Sequence, residues 1–175
     1  ITGFGRTGKA FASQSFGVKP DVITMAKAIT NGVQPMSAVA VDNSVYKTIV
    51  EDSPNPRAAK EFFHGYTWSA HPAACAAAIA TIDIYEKERL FERASQMSAY
   101  FLEGLFSLKD IPVVTDIRGY GMAGCIDVAP TQIPGERGHM LQKKLYDNGL
   151  HIKTTGDSGI LAPPFIMTTD HIDQM

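Results

Sequence analysis

Cysteine is scarce in this chain. Its 175 residues hold two, Cys75 and Cys125, in no C-x-x-C or multi-cysteine pattern, which argues against a disulfide scaffold and a structural zinc site and fits a reducing, cytoplasmic setting. A basic excess is also missing: 16 Lys and Arg stand against 18 Asp and Glu, for a formal net charge of -2. Nothing is left over to neutralise a phosphate backbone, so nucleic acid is not expected as the main partner. Long hydrophobic runs are absent as well. The most apolar stretch, residues 72–80, is followed by Asp83, Glu86 and Lys87, well short of the roughly 20 apolar residues that span a bilayer. The opening Ile1-Thr2-Gly3-Phe4-Gly5 has neither an initiator methionine nor a charged leader before an apolar core. The end, Thr168-Thr169-Asp170-His171-Ile172-Asp173-Gln174-Met175, reads as a helix cap and first turn. Both ends therefore read as cut.

What is present is an ordinary globular composition, 45% hydrophobic and 19% charged, enough to bury one core or two small ones. The β-branched run Asp21-Val22-Ile23-Thr24-Met25 predicts a buried strand, which puts Lys27 just past its C-terminal end, with a turn at Asn31-Gly32. Residues 37–41 predict a second strand, 44–51 a helical turn or two, and Asp52-Ser53-Pro54-Asn55-Pro56 an exposed loop. Pro72 suits a first helical turn, and apolar residues then recur at helical spacing to about residue 108, long enough to bend or to bridge two units. Residues 112–115 and 122–128 alternate like strands around a turn at Arg118-Gly119-Tyr120-Gly121. A helix over 138–147 stopped by Gly149, then strands at 150–154 and 159–161 flanking Gly156-Asp157, complete a β-β-α-β-β unit. A domain boundary is expected near residue 92, giving units 1–92 and 93–175 in an α/β chain.

Several segments could carry chemistry. Gly3-Phe4-Gly5-Arg6-Thr7-Gly8 matches G-x-G-x-x-G, but no long helix clearly follows and no acidic residue stands about 20 positions on, as a dinucleotide site requires. Gly3 and Gly8-Lys9 have P-loop spacing, yet Ala10 stands where a Ser or Thr hydroxyl would hold magnesium. A glycine-permitted tight loop, with Arg6 at an interface or in an ion pair, is preferred. Lys27 lies between apolar Met25-Ala26 and Ala28-Ile29, which would favour the nucleophilic amine if the side chain were buried; a solvated lysine is the ordinary alternative. His64-Gly65-Tyr66-Thr67-Trp68-Ser69 precedes a helix N-terminus and could hold a phosphate through backbone N–H groups and Thr67 Oγ1, or simply cap the helix. His64 and His71 are not at metal-binding spacing, so no metal is expected.

Taken in order, these segments resemble the class III, or omega, aminotransferases of fold type I. Ile1-Thr2-Gly3-Phe4-Gly5-Arg6-Thr7-Gly8 is similar to the stretch after that family's Asp-Glu-Val, and Pro20-Asp21-Val22-Ile23-Thr24-Met25-Ala26-Lys27 to its Schiff-base strand. His64-Gly65-Tyr66-Thr67-Trp68-Ser69-Ala70-His71-Pro72 resembles the phosphate loop of the beta-alanine, or omega-amino acid, pyruvate branch. Asp116-Ile117-Arg118-Gly119-Tyr120-Gly121, and Gly156-Asp157 ahead of Ala162-Pro163-Pro164-Phe165, extend the similarity across the chain.

The resemblance implies a C-terminal part of a fold type I enzyme, with 1–92 from the large domain's mixed sheet and 93–175 a small α/β domain. It implies pyridoxal 5'-phosphate as cofactor, Lys27 as the aldimine lysine and proton carrier, and Thr67 with Tyr66 or Trp68 on the cofactor phosphate across a dimer interface. The implied reaction is ping-pong transfer of an amino group from an omega-amino acid or amine to pyruvate, by a homodimer or a tetramer of dimers. Taurine, 4-aminobutyrate or diamine transamination, an aminomutase, a nucleotide-binding module and a non-catalytic interaction domain are the alternatives. Where the family commonly has a carboxylate-binding arginine this chain has Lys153, which keeps the charge without the two-pronged grip. It is a candidate substrate ligand, or a solvated strand-end lysine. The aspartate that pairs with the pyridinium nitrogen is expected upstream of Ile1, so the chain alone is expected to be inactive.

Overall fold

A computed structural model of the chain describes residues 2–52 and 64–175. Of the loop expected at residues 52–56, all but Asp52 lies outside them. The chain divides into two compact units: one holds Phe16–Glu88, the other Thr2–Ser15 with Arg89–Met175.

In the first unit, β1 (Val22–Ala26) pairs antiparallel with β2 (Ser37–Val41), from Val22 opposite Val41 to Ala26 opposite Ser37. Helix α2 (Asn43–Val50) starts where the Asp42 carboxylate accepts the Ser44 N–H, a normal N-cap. Helix α3 (Pro72–Lys87) takes Pro at its start and the His71 ring as cap, with Nδ1 3.4 Å from the Ala74 N–H donor. One stripe of α3, Ala74, Ala78, Thr81 and Tyr85, is buried. Ile79, Ile82 and Ile84 are exposed, so the charged outer face expected from the spacing is only partly realised.

The single long helix expected from 73 to about 108 is two helices. Arg89 adopts a left-handed backbone, φ 51 and ψ 45, and α4 (Leu90–Phe106) begins after it. Apolar periodicity does not register such a break, because one left-handed residue ends a helix without altering the spacing on either side.

In the second unit, α1 (Ala12–Ser15) is a single turn. Strands β3 (Val114–Tyr120), β4 (Ala123–Val128), β5 (Lys153–Thr155) and β6 (Ser158–Leu161) form an antiparallel sheet in the order β3-β4-β6-β5. The expected turn at residues 118–121 is mostly strand: β3 runs to Tyr120 and the chain reverses at Gly121, φ +60, and Met122. Gly119 looks like a turn residue but serves packing, since a Cβ there would come within 2.5 Å of Leu102 on α4. Helix α5 (Glu136–Asp147) and α6 (Thr169–Gln174) complete the unit. Ala94, Phe101 and Leu105 of α4 join Met122, Ile152, Leu161 and Ile172 in its core.

The glycine-rich opening belongs to this unit. Arg6 donates to the carbonyls of Met122 and Pro163 at 2.8 and 2.6 Å, and its guanidinium carbon stands 4.6 Å from the centre of the Phe165 ring. At Gly5, φ +99, a Cβ would press into Phe91 and Phe165. The segment is a packed loop rather than an open phosphate cradle. No helix among the described residues is long and apolar enough to cross a membrane.

Candidate active site

Lys27 is the first residue of a short 3-10 turn, Lys27–Ile29, directly after β1. Its backbone is left-handed, φ 60, a conformation that costs a non-glycine residue of order 1 kcal/mol or more and persists only where the surroundings enforce it. Those surroundings are visible. The buried Tyr85 hydroxyl, from the last turn of α3, donates to the Ala28 carbonyl at 2.8 Å. Thr30, almost wholly buried, donates to the Gln34 carbonyl at 2.6 Å, and its N–H closes the turn onto the Lys27 carbonyl at 3.2 Å. Ile29 packs inside. The Lys27 side chain is exposed, so its apolar sequence neighbours do not bury it within the described residues.

A cavity of about 1160 Å³ lies within the first unit and includes Lys27 in its wall. The ends of β1 and β2 form one side, and the loop before α3 the other, through His64, Gly65, Tyr66, Trp68, Ser69 and His71. The cavity is open to solvent on one side and roomy enough for a small molecule. Ser69 Oγ accepts the Tyr66 N–H at 2.8 Å, drawing the loop into a turn. Tyr66 and Trp68 project outward, 81% and 77% exposed.

Lys27 and Tyr66 therefore share one cavity. Thr67 sits in the same loop, exposed, but is not part of that wall. Its hydroxyl has no hydrogen-bond partner among the described residues, which leaves it available to a ligand. Lys153 belongs to the other unit, as the first residue of β5. Tyr85 and Thr30 escaped the sequence reading, because a tyrosine 57 residues from the carbonyl it holds carries no local signal. Among the described residues no group of three or more His, Cys, Asp or Glu converges to hold a metal.

The fit to pyridoxal phosphate can be judged from these donors. An amine faces a roomy cavity, and the loop opposite carries hydroxyls and leads into the N-terminus of α3, whose first-turn N–H groups favour an anion. The amine suits the aldehyde of the cofactor and the hydroxyl-bearing loop suits a phosphate, so each group fits one part of pyridoxal phosphate.

The fold supports the same class. Over 99% of its length the chain matches 39% of a solved omega-transaminase of Pseudomonas jessenii in complex with PMP, with TM-score 0.90 and 32% identity. It thus shares the fold of part of a transaminase. The family model for aminotransferase class-III matches residues 1–175, and the chain belongs to that family, whose members use pyridoxal phosphate. It is 43% identical over 176 residues to an omega-aminotransferase of Caulobacter vibrioides. It is 39% identical over 180 residues to the omega-amino acid--pyruvate aminotransferase of Pseudomonas putida. All of this chain is covered in both cases, but it spans only 39% of either relative's length.

Proposed function

We propose that the protein carrying this chain is a pyridoxal-phosphate-dependent transaminase that moves an amino group from an omega-amino acid such as beta-alanine, or a related primary amine, to pyruvate. The carrying observation is Lys27, held in a strained left-handed backbone directly after β1 with its side chain exposed on the wall of an open cavity. The relatives' names supply the substrate class. In this reading the chain is the C-terminal part of a fold type I enzyme, working as a homodimer or a tetramer of dimers.

Pyridoxal phosphate, when bound, supplies an electron sink for the carbon that carries the amine. Lys27 Nζ would hold the cofactor through its aldehyde carbon and would be freed when a substrate amine takes its place there. As the single lysine on the described cavity wall, it is also the base that takes and returns the proton at the substrate carbon. Thr67 Oγ1 and the backbone N–H of Tyr66 or Trp68 hold the phosphate, in the site of a partner subunit. Lys153 attracts the substrate carboxylate. Donor and acceptor use the same groups in turn, so initial-rate plots should be ping-pong.

Borohydride treatment of the holoprotein, followed by peptide mass spectrometry, tests the assignment. The cofactor mass is expected on Lys27, with Lys27→Ala unlabelled and its turnover at least about 1,000-fold lower, the scale for losing a group that is both nucleophile and base. A label on another lysine would refute it.

A further inference from the structure

Strand β5 is three residues long and forms an edge of its sheet, paired on one side only, with β6. Short edge strands with half their backbone groups unpaired are poor platforms for a ligand-binding side chain. Here the edge is gripped from α5. Gln142 Nε2 donates to the Ile152 carbonyl at 3.1 Å, and Thr154 Oγ1 donates to Gln142 Oε1 at 3.2 Å. One side-chain amide thereby holds the residues immediately before and after Lys153.

The pleat makes this grip directional. Ile152 is buried and Thr154 partly so, on the face toward α5, and the residue between them points to the opposite face. On that face Lys153 stands opposite Ile160, Ile160 opposite Cys125, and Cys125 opposite Arg118, one row across all four strands. The two cations in the row differ. Arg118 is neutralised by Asp116 and Asp127, whereas the Lys153 ammonium has no hydrogen bond or ion pair among the described residues. The following turn is tied down too: the Asp157 carboxylate accepts the N–H groups of Gly135 and Gly138 at the start of α5, at 3.2 and 3.0 Å. An uncompensated ammonium thus projects from a strand fixed to α5 on both sides of it.

We propose that Gln142, with Thr154, is a positioning residue for Lys153 and sets the enzyme's preference for substrates that carry a carboxylate; this rests on the reading of Lys153 as the carboxylate ligand. A lysine offers one compact charge on four rotatable bonds, so its aim depends on where its Cα is held more than that of a planar arginine fork would. Loosening the strand weakens carboxylate binding and leaves amines without a carboxylate unaffected.

The test uses the holoenzyme with Gln142→Leu, Thr154→Val and Lys153→Met. Three quantities are measured: the calorimetric Kd for propionate, the KM for beta-alanine, and the KM for a benzylic amine lacking a carboxylate. Thr154→Val, which removes one hydrogen bond, is expected to raise the first two about fivefold, Gln142→Leu, which removes two, to raise them at least as much, and both to leave the third unchanged. Gln142→Glu, which keeps the acceptor for Thr154, should recover part of the loss. Lys153→Met should do at least as much damage as either. If Lys153→Met leaves propionate and beta-alanine binding intact, the carboxylate reading falls and this inference with it. If Lys153→Met weakens both but neither Gln142→Leu nor Thr154→Val does, Lys153 stands and the positioning role is refuted. A loss shared equally by the benzylic amine would reduce Gln142 to a structural residue. Should Gln142→Leu fail to fold, Thr154→Val alone decides.

Discussion

Asp127 and Arg118 meet across β4 and β3. The guanidinium donates to both Asp127 oxygens, at 2.6 and 3.0 Å, and also to Asp116, while Ser158 Oγ donates to Asp127 at 2.6 Å. The Arg118 bonds first, then that of Ser158, hold the Asp127 carboxyl down at about 2, below its ordinary 3.8, and Arg118 is held above its own usual value. A carboxyl lowered in the folded state stabilises the fold above its unfolded value and loses that contribution as pH falls through the folded value. The thermal midpoint of the second unit should therefore drop between about pH 4 and pH 2, and Asp127→Asn should flatten that part of the profile. An unchanged slope in differential scanning fluorimetry of the variant would contradict this. Arg118 is exposed and Asp127 partly so, and solvent screening keeps the contribution small. Lys27 shows the opposite economy: its left-handed backbone is a local cost borne by Tyr85 and Thr30.

At the scale of elements, the contact between α5 and the β5–β6 turn is the tightest in the second unit. Gly138 is buried in the first turn of α5, and a Cβ built there would collide with the Gly156 carbonyl oxygen. Gly138→Ala would normally favour a helix by up to about 1 kcal/mol. Here the collision forces the turn away from α5 and should cost about 1–3 kcal/mol, as overpacking does. The midpoint of denaturant unfolding is expected to fall accordingly, and a midpoint at or above the parent's would show that the turn can yield. Element existence was legible in sequence: β1, β2, α5 and β6 lie within a few residues of where composition and periodicity put them. The reversal at Gly121 and the break at Arg89 were not. The first depends on what packs against the strand, Leu102 on Gly119, and the second on the left-handed backbone of one residue, Arg89, which apolar spacing does not register.

For the whole molecule, the first unit's exposed apolar surface matters most. Ile79, Ile82 and Ile84 of α3 are 64%, 40% and 49% exposed, and β1–β2 is an isolated two-stranded sheet, marginal in water without further strands or a packed face. Since the chain spans 39% of its relatives' length, the 175 residues expressed alone are expected to bind a hydrophobic dye, unfold without a sharp transition in this unit, and show no transamination with beta-alanine and pyruvate. Sharp two-state unfolding with measurable turnover would overturn that.

The sequence by itself determined the family and the local elements, because glycine, proline and apolar spacing act through neighbouring residues, and because the run of motifs from the glycine-rich opening through Lys27 to the loop at 64–72 is ordered along the chain. The residues themselves pointed to Lys27 as an amine and Thr67 as a phosphate ligand, and the family resemblance added Tyr66 for the phosphate and Lys153 for a carboxylate. Only the tertiary structure decided that Thr2–Ser15 belongs with Arg89–Met175. It alone placed Tyr85 beneath the Lys27 turn, put Lys27 and Tyr66 on one cavity wall, and closed Gln142 around the two residues flanking Lys153. Such contacts join residues far apart in the chain, and they exist only once loop closure has been offset by burial of the core, so no local pattern encodes them.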